Sequence, residues 1–102
     1  MNANVNLQVW LETVPDTHPS VVVPYVRSET DGVIQYQLKV SKRGFSGVSN
    51  LGQSGDVRVQ AGQPAALSRF SLNIGKNDEC TIELVLFNSQ HPADTYHFDC
   101  PR

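Results

Sequence analysis

The sequence predicts an all-β protein, an immunoglobulin-like antiparallel β-sandwich of about seven strands. Apolar and polar side chains alternate along most of the chain, turn-forming residues recur at short, regular spacing, and no stretch has a helical period. The chain has 102 residues, 39% of them hydrophobic. We therefore expect one domain, residues 1–102, around a single core.

The clearest alternation lies in the stretch 61–87, which predicts two consecutive strands. One face of the first strand is expected to hold Ala66, Ser68, Phe70, Leu72 and Ile74, and the other Leu67, Arg69, Ser71 and Asn73. The second strand should place Cys80, Ile82, Leu84 and Leu86 opposite Thr81, Glu83, Val85 and Phe87. Between them, Gly75 to Asp78 has the composition of a turn.

Three strands are predicted between Val5 and about Ser41. The first alternates from Val5 to Glu12, and the second opens at Val21, where Pro24 should confine it to an edge or a bulge. Thr30-Asp31-Gly32 then reads as a hairpin turn. The third strand runs from Val33 to about Ser41, with inward residues Ile34, Tyr36, Leu38 and Val40 and outward residues Gln35, Gln37, Lys39 and Ser41.

The two remaining strands lie on either side of the central stretch. Residues 48–60 contain glycine and polar residues, which suit one irregular strand at a sheet edge. The last strand is expected over about Thr95 to Cys100, after a loop from Ser89 to Asp94.

Cys80 and Cys100 are the only cysteines, and both fall toward the ends of a predicted hairpin. An even pair in this arrangement favours a disulfide formed in an oxidising compartment. Two free buried thiols are the main alternative, and metal ligation is the weakest. A bridge would stabilise the fold by about 3 kcal/mol in the chain-entropy model.

The formal net charge of −2 hides a segregation of charge along the chain. Residues 33–77 carry six basic side chains against one acidic side chain, a net charge of +5. The rest of the chain carries two basic and nine acidic side chains, a net charge of −7. The middle segment should therefore present a basic surface if its strands are close in space.

The residues expected to form this partner-binding basic surface are Lys39, Lys42, Arg43, Arg58 and Arg69. Such a surface can steer an acidic partner toward the protein over about 10 Å at ordinary ionic strength. Solvated surface charge that only aids solubility is the plain alternative. Nucleic acid is a weaker candidate because the basic segment lacks interleaved aromatic residues for base stacking.

Signatures of catalysis and of cofactor binding are missing from the sequence. There is no glycine-rich phosphate loop, no HExxH and no CxxC. His91 and His97 beside Cys80 faintly suggest a cupredoxin-type copper site, but the only methionine is Met1, so no metal site is expected. We expect no enzymatic activity and no cofactor.

No membrane insertion is expected, because no apolar run reaches the length of a membrane span. The first ten residues show no signal peptide, which does not by itself establish a cytosolic location.

The segments 33–50 (VIQYQLKVSKRGFSGVSN) and 61–86 (AGQPAALSRFSLNIGKNDECTIELVL) resemble the CsgC-like curli proteins, the CsgH branch in particular. The markers are the turn at Gln63-Pro64, the pattern from Leu67 to Ile74, and the basic turn at Lys42-Arg43-Gly44. The resemblance extends over roughly residues 33–98.

This resemblance implies a periplasmic, chaperone-like amyloid inhibitor. It would act as a monomer, without ATP or cofactor, on disordered curli subunits through transient, electrostatically guided contacts. The founding members carry Cys-x-Cys at the start of the third strand, where this chain has Gly32-Val33-Ile34. The resemblance therefore does not extend to any thiol-exchange activity.

Two other classes of function compete with this hypothesis. An immunoglobulin-like structural or adhesive module of a surface fibre would show an exposed aromatic platform, for which Trp10 and Phe87 are the candidates, or an open edge strand. A thiol oxidoreductase would instead need a reactive, unbridged cysteine pair.

Overall fold

The computed structural model describes residues 7–45, 47–88 and 91–101. These residues form an immunoglobulin-like β-sandwich of eight strands in two antiparallel sheets. In chain order the strands are β1 (Leu7–Thr13), β2 (Ser20–Ser28), β3 (Gly32–Gly44), β4 (Gly47–Val59), β5 (Pro64–Ala66), β6 (Phe70–Leu72), β7 (Glu79–Asn88) and β8 (His91–Asp99). The predicted fold class is confirmed, with one strand more than expected.

The first sheet has the order β1–β2–β5, with β6 pairing the other end of β2. The second sheet has the order β4–β3–β7–β8, so β4 and β8 are its edges. The edge position predicted for residues 48–60 is thus confirmed, but the irregularity expected there is wrong, because this strand pairs with β3 over thirteen residues without a bulge. In the described part of the chain there is no helix long and apolar enough to cross a membrane.

The core is made by the inward faces of both sheets. The alternation predicted for β3 and β7 is confirmed, because their inward residues are buried or half-buried while Gln35, Gln37 and Lys39 are exposed. The most completely buried side chains are Ile82, Leu84, Leu86, Val22, Val26 and Pro24. Each fully buried aliphatic side chain is worth about 1.5–3 kcal/mol of hydrophobic stabilisation.

β3 and β4 form the longest hairpin in the described structure. Their register is continuous from Gly32 opposite Val59 to Gly44 opposite Gly47, without a bulge. Two residues separate Gly44 from Gly47, and Gly47 has a φ of 121°, a conformation that glycine adopts without strain. This hairpin places thirteen residues of β4 along one edge of the sandwich.

The central stretch was predicted to begin with one continuous strand, and this prediction is wrong. Residues 67–69 interrupt it, leaving β5 and β6 as two three-residue strands beside β2. The interruption also reverses the expected faces around it, since Leu67 is buried and Ala66 is exposed. Tertiary burial of Leu67 outweighs the alternation in the sequence.

Of the edge or bulge expected at Pro24, the edge is wrong, whereas the pairing of β2 is irregular there, since Val23 and Pro24 face the three residues 67–69. β2 lies between β1 and the pair β5 and β6. The carbonyl of Pro24 accepts a hydrogen bond from the Leu67 N–H at 2.8 Å, so Pro24 faces the interruption between β5 and β6. Its ring nitrogen points the same way as its carbonyl, into a gap where no ladder donor is needed.

Two predicted turns join the sheets instead of closing hairpins. Residues 30–32 lead from β2 in the first sheet to β3 in the second, so the hairpin predicted there is wrong. The buried Ser28 hydroxyl holds this crossing, accepting from the Thr30 N–H at 3.1 Å and donating to the Thr30 carbonyl at 2.9 Å. The turn after β6 likewise leads to β7, with the Asp78 N–H bonded to the Gly75 carbonyl.

The predicted ends of two strands need adjustment. The last strand begins at His91, four residues before the expected Thr95, because β8 pairs β7 as far as Asn88 opposite His91. Of the loop predicted at 89–94, residues 89 and 90 lie outside the described residues. Val5 and Asn6, expected to begin the first strand, also lie outside them.

Candidate partner-binding surface

The outward face of the second sheet holds three of the five basic residues expected to bind a partner. Residues directly opposite each other in antiparallel strands project to the same face. Lys39 and Arg43 lie on the exposed side of β3, and Arg58, opposite Val33, lies on the same side of β4. β7 and β8 complete this face on the other side of β3.

Arg43 is already paired within the sheet. It lies opposite Glu79 in the β3–β7 register, and its Nη2 is 3.0 Å from Glu79 Oε1. Both side chains are more than 70% exposed, so the pair contributes little stability. It nevertheless offsets the Arg43 charge locally.

Lys42 projects to the other side of β3. It has the same parity as the buried Leu38 and Val40 and lies at the end of the inward face. Its Nζ donates a hydrogen bond to the Asn73 carbonyl, just after β6, at 2.5 Å. Lys42 therefore links the two sheets at the end of the sandwich near the β3–β4 turn.

Lys39 lies between Glu83 of β7 on one side and an open depression beside β4 on the other. Glu83 is opposite it on β7, but the two make no ion pair within 4.0 Å among the described contacts. On its other side the opposite residue is Gly52 of β4, which has no side chain. An open depression of about 370 Å³ lies here, lined by Lys39, Gly52, Ser54 and Glu83 among others.

Arg58 lies on β4, and Arg69 lies in a segment of the other sheet that contacts β4. Arg58 is exposed on β4, with Asp56 two residues earlier on the same face. Arg69 is exposed in the segment between β5 and β6. The neighbouring Ser68 hydroxyl donates to the Gln53 side-chain oxygen on β4, which brings this segment to the β4 edge.

The structure thus divides the single basic patch that the sequence predicts. Lys42 and Arg43 are engaged within the protein near the β3–β4 turn. Lys39, Arg58 and Arg69, which we call the β4-edge cations, make no ion pair among the described residues and lie on or beside β4. The carboxylates Glu79, Glu83 and Asp99 occupy the β7–β8 half of the outward face, so this face has a basic half and an acidic half.

The two candidate aromatic residues do not form a shared platform. Trp10 is on the outward face of the first sheet, whereas Phe87 is on the outward face of the second, and both are half-buried. The Trp10 ring instead stacks on Tyr25 with centroids 5.7 Å apart, and its Nε1 donates to Glu12. The aromatic platform that an adhesive module would need from this pair is therefore absent.

Cys80 and Cys100 form a disulfide, with a Cα–Cα distance of 5.4 Å. The Cys100 N–H also donates to the Cys80 carbonyl at 3.2 Å, so the bridge joins neighbouring strands of one sheet. Of the alternatives that the sequence left open, the structure selects the bridge. It leaves neither cysteine as a free thiol nor as a copper ligand.

The contacts of titratable groups outside the basic surface lie on β7 and β8. Within the described ranges, no group of three or more His, Cys, Asp and Glu side chains could hold a metal ion. His97 Nε2 lies 3.3 Å from Glu83 Oε2. Burial raises the pKa of Tyr96 above its ordinary value of 10.0, and the charge of Asp94 raises it further.

The sequence could predict only in part which basic residues bind within the protein and which make no ion pair. Lys42 continues the inward parity of Ile34 to Val40, so extending the predicted third strand by one residue would have separated it from Lys39. The pairing of Arg43 with Glu79 depends on the register between β3 and β7, which no local pattern determines.

One protein family matches most of this chain. The family of thin aggregative fimbriae synthesis proteins, Tafi-CsgC, matches residues 1–91. The curli assembly protein CsgC of Salmonella arizonae is 31% identical over 86% of this chain and 82% of its own length. CsgC of Escherichia coli K12 is 26% identical over 86% of this chain and 80% of its own length.

Two solved structures share the fold. The E. coli curli protein CsgC superposes with a TM-score of 0.77 at 24% identity, over 90% of this chain and 97% of its own. The solution structure of R. palustris CsgH gives a TM-score of 0.71 at 21% identity, over 91% of each chain.

Proposed function

Since this chain belongs to the family of thin aggregative fimbriae synthesis proteins, Tafi-CsgC, we propose that it acts in curli assembly. The more specific proposal is that it is a periplasmic, non-catalytic chaperone that delays amyloid nucleation of disordered curli subunits. It would work as a monomer, through weak and rapidly exchanging contacts that leave the subunit free for export. The Cys80–Cys100 disulfide is compatible with an oxidising compartment.

The observation that carries this proposal is the position of the β4-edge cations. Lys39, Arg58 and Arg69 are exposed and make no described ion pair, so their charges can act on an approaching acidic chain. Of the five basic residues, these three would make the contact. Lys42 and Arg43 would contribute less, because each already has a partner within the protein.

Electrostatic contacts of this kind affect the rate of encounter more than the lifetime of a complex. A disordered subunit would be drawn to the basic half of the outward face and kept away from the acidic half. Action well below equimolar ratio would indicate that the intercepted species is a rare nucleus or early oligomer.

The test is the lag time of curli subunit polymerisation, followed by thioflavin-T fluorescence with the protein well below equimolar ratio. We expect wild type to lengthen the lag. A triple variant, Lys39→Gln, Arg58→Glu and Arg69→Glu, should lose most of this effect. Glutamine is used at position 39 because a glutamate there would face Glu83 and destabilise the sheet. An unchanged lag with wild type would refute the proposed function.

A matched pair of single variants separates local charge from net charge. Arg58→Glu and Lys76→Glu change the net charge equally, and both positions are exposed. Arg58 lies on β4, whereas Lys76 lies in the turn before β7, near the opposite end of β4. Arg58→Glu should shorten the lag and Lys76→Glu should leave it near the wild-type value. Equal effects, or insensitivity of wild type to raised salt, would remove the electrostatic mechanism.

A further inference from the structure

The free edge of β4 is long, regular and unprotected. β4 pairs only with β3, and no described backbone hydrogen bond joins its other side to any segment. Its register runs through thirteen pairs without a bulge. Residues 47–55 contain no charged residue and no proline, two of the devices that protect an edge from further pairing.

The hairpin geometry determines which backbone groups are free. Gly44 and Gly47 are paired across only two intervening residues, so they must exchange hydrogen bonds with each other. Hydrogen-bonded pairs alternate along an antiparallel ladder, and the odd-numbered residues of β4 therefore bond to β3. Asn50, Gly52 and Ser54 direct their N–H and C=O groups away from β3, toward the free edge.

The basic side chains beside this edge favour an added strand that carries negative charge. Gly52 leaves the open depression next to Lys39, and a side chain of an added strand opposite Gly52 could enter it. A carboxylate or amide in that position would meet the Lys39 ammonium. Arg58 on β4, and Arg69 next to Ser68, which contacts Gln53 of β4, add positive charge near the same edge.

We infer that β4 captures an extended segment of the client chain by strand addition, with acidic or amide side chains directed toward Lys39, Arg58 and Arg69. This inference rests on the proposed function and specifies its contact. The cations would attract the segment, and the free N–H and C=O groups of Asn50, Gly52 and Ser54 would align it.

A second copy of this chain is the less suitable occupant. Two β4 strands pairing about a central twofold axis near Gln53 would bring both copies of Arg69 toward that axis, because Ser68 contacts Gln53. The repulsion between these two cations opposes self-pairing, whereas an acidic segment would be attracted to each.

The test removes one free donor without disturbing the β3–β4 ladder. Ser54→Pro deletes an N–H that faces the free edge, and its matched control, Ser54→Ala, removes the hydroxyl but keeps the N–H. With both variants folded by circular dichroism, we expect Ser54→Pro to lose at least half of the lag extension and Ser54→Ala to retain it. Retention of the full lag extension by folded Ser54→Pro would overturn strand addition while leaving the proposed function intact.

Hydrogen exchange on the wild-type protein provides a measurement that needs no variant. Adding unfolded curli subunit within its lag phase should slow amide exchange at Asn50, Gly52 and Ser54. The slowing should be about tenfold when free subunit is about nine times the dissociation constant, since protection follows the bound fraction. Unchanged exchange at these three amides, or slowing that appears without subunit as the protein is concentrated, would overturn the inference.

Discussion

At the scale of single residues, the partners of each cation determine whether its charge is available to another molecule. Arg43 is balanced by Glu79, and Lys42 is held by a carbonyl of the other sheet. Lys39, by contrast, lies beside a glycine on β4, which leaves its ammonium open to solvent. Basic residues that look equivalent in the sequence therefore differ in how far their charges are available to another molecule.

Tyr96 provides a residue-scale prediction about pH. Burial and the nearby Asp94 raise its pKa, so the folded state favours the neutral phenol more than the unfolded state does. Its stabilising contribution is complete below the ordinary tyrosine pKa of about 10 and is lost as pH rises through the folded-state value. Tyr96→Phe should therefore lose less stability than wild type between about pH 9 and pH 11 in urea unfolding.

The control for this prediction is the same pair of proteins at pH 7, where tyrosine side chains are neutral. The difference in unfolding free energy between wild type and Tyr96→Phe at that pH is the baseline against which the difference at higher pH is compared. If Tyr96→Phe and wild type lose stability in parallel, the Tyr96 phenol is not coupled to folding.

At the scale of elements, the strands with strict alternation were predictable and the joins between them were not. β3 and β7 follow their predicted faces because each buries one side against the core. Turn-forming residues such as those at 30–32 and 75–78 occur both in turns within one sheet and in turns that cross to the other sheet. Which of these it does depends on tertiary packing, so the sequence could not assign strands to sheets.

The split between β5 and β6 shows the same limitation on a smaller scale. The alternation from Ala66 to Ile74 is compatible with one strand, yet Leu67 enters the core and interrupts it. Its N–H bonds the Pro24 carbonyl, so Leu67 and Pro24 are accommodated at one site. No local pattern indicates that contact, because the two residues are 43 positions apart in the chain.

The disulfide provides a testable prediction about how two strands are held together. It joins β7 to the end of β8 and closes a loop with a sequence separation of 20. The double variant Cys80→Ala, Cys100→Ala should lower the free energy of unfolding by about 3 kcal/mol, mainly by releasing the unfolded chain. Urea unfolding measures the loss, and the lag extension per folded molecule should stay unchanged because the bridge joins β7 and the end of β8, neither of which pairs with β4.

Wild type treated with a reducing agent is the control for this variant. Its unfolding free energy should fall close to that of the double variant, since both lack the covalent link. A loss below about 1 kcal/mol in both would show that the strand pairing alone holds β8 in place.

At the scale of the whole molecule, the charge segregation seen in the sequence becomes two halves of one face. The basic segment 33–77 contributes β3 and β4, but β7 brings Glu79 and Glu83 alongside them. The net charge of each segment was predictable from sequence, and the resulting boundary between positive and negative surface was not. A client would therefore meet a directional field rather than a uniform basic patch.

The binding of an unfolded curli subunit at the β4 edge can be mapped by the chemical-shift changes that the subunit causes in this protein. We expect changes concentrated at Lys39, Arg58, Arg69 and the β4 residues between Asn50 and Ser54, decreasing as salt is raised. Changes confined to the Trp10–Tyr25 face or to β8, or the absence of any change while the protein still delays polymerisation, would show that the β4 edge does not bind the subunit.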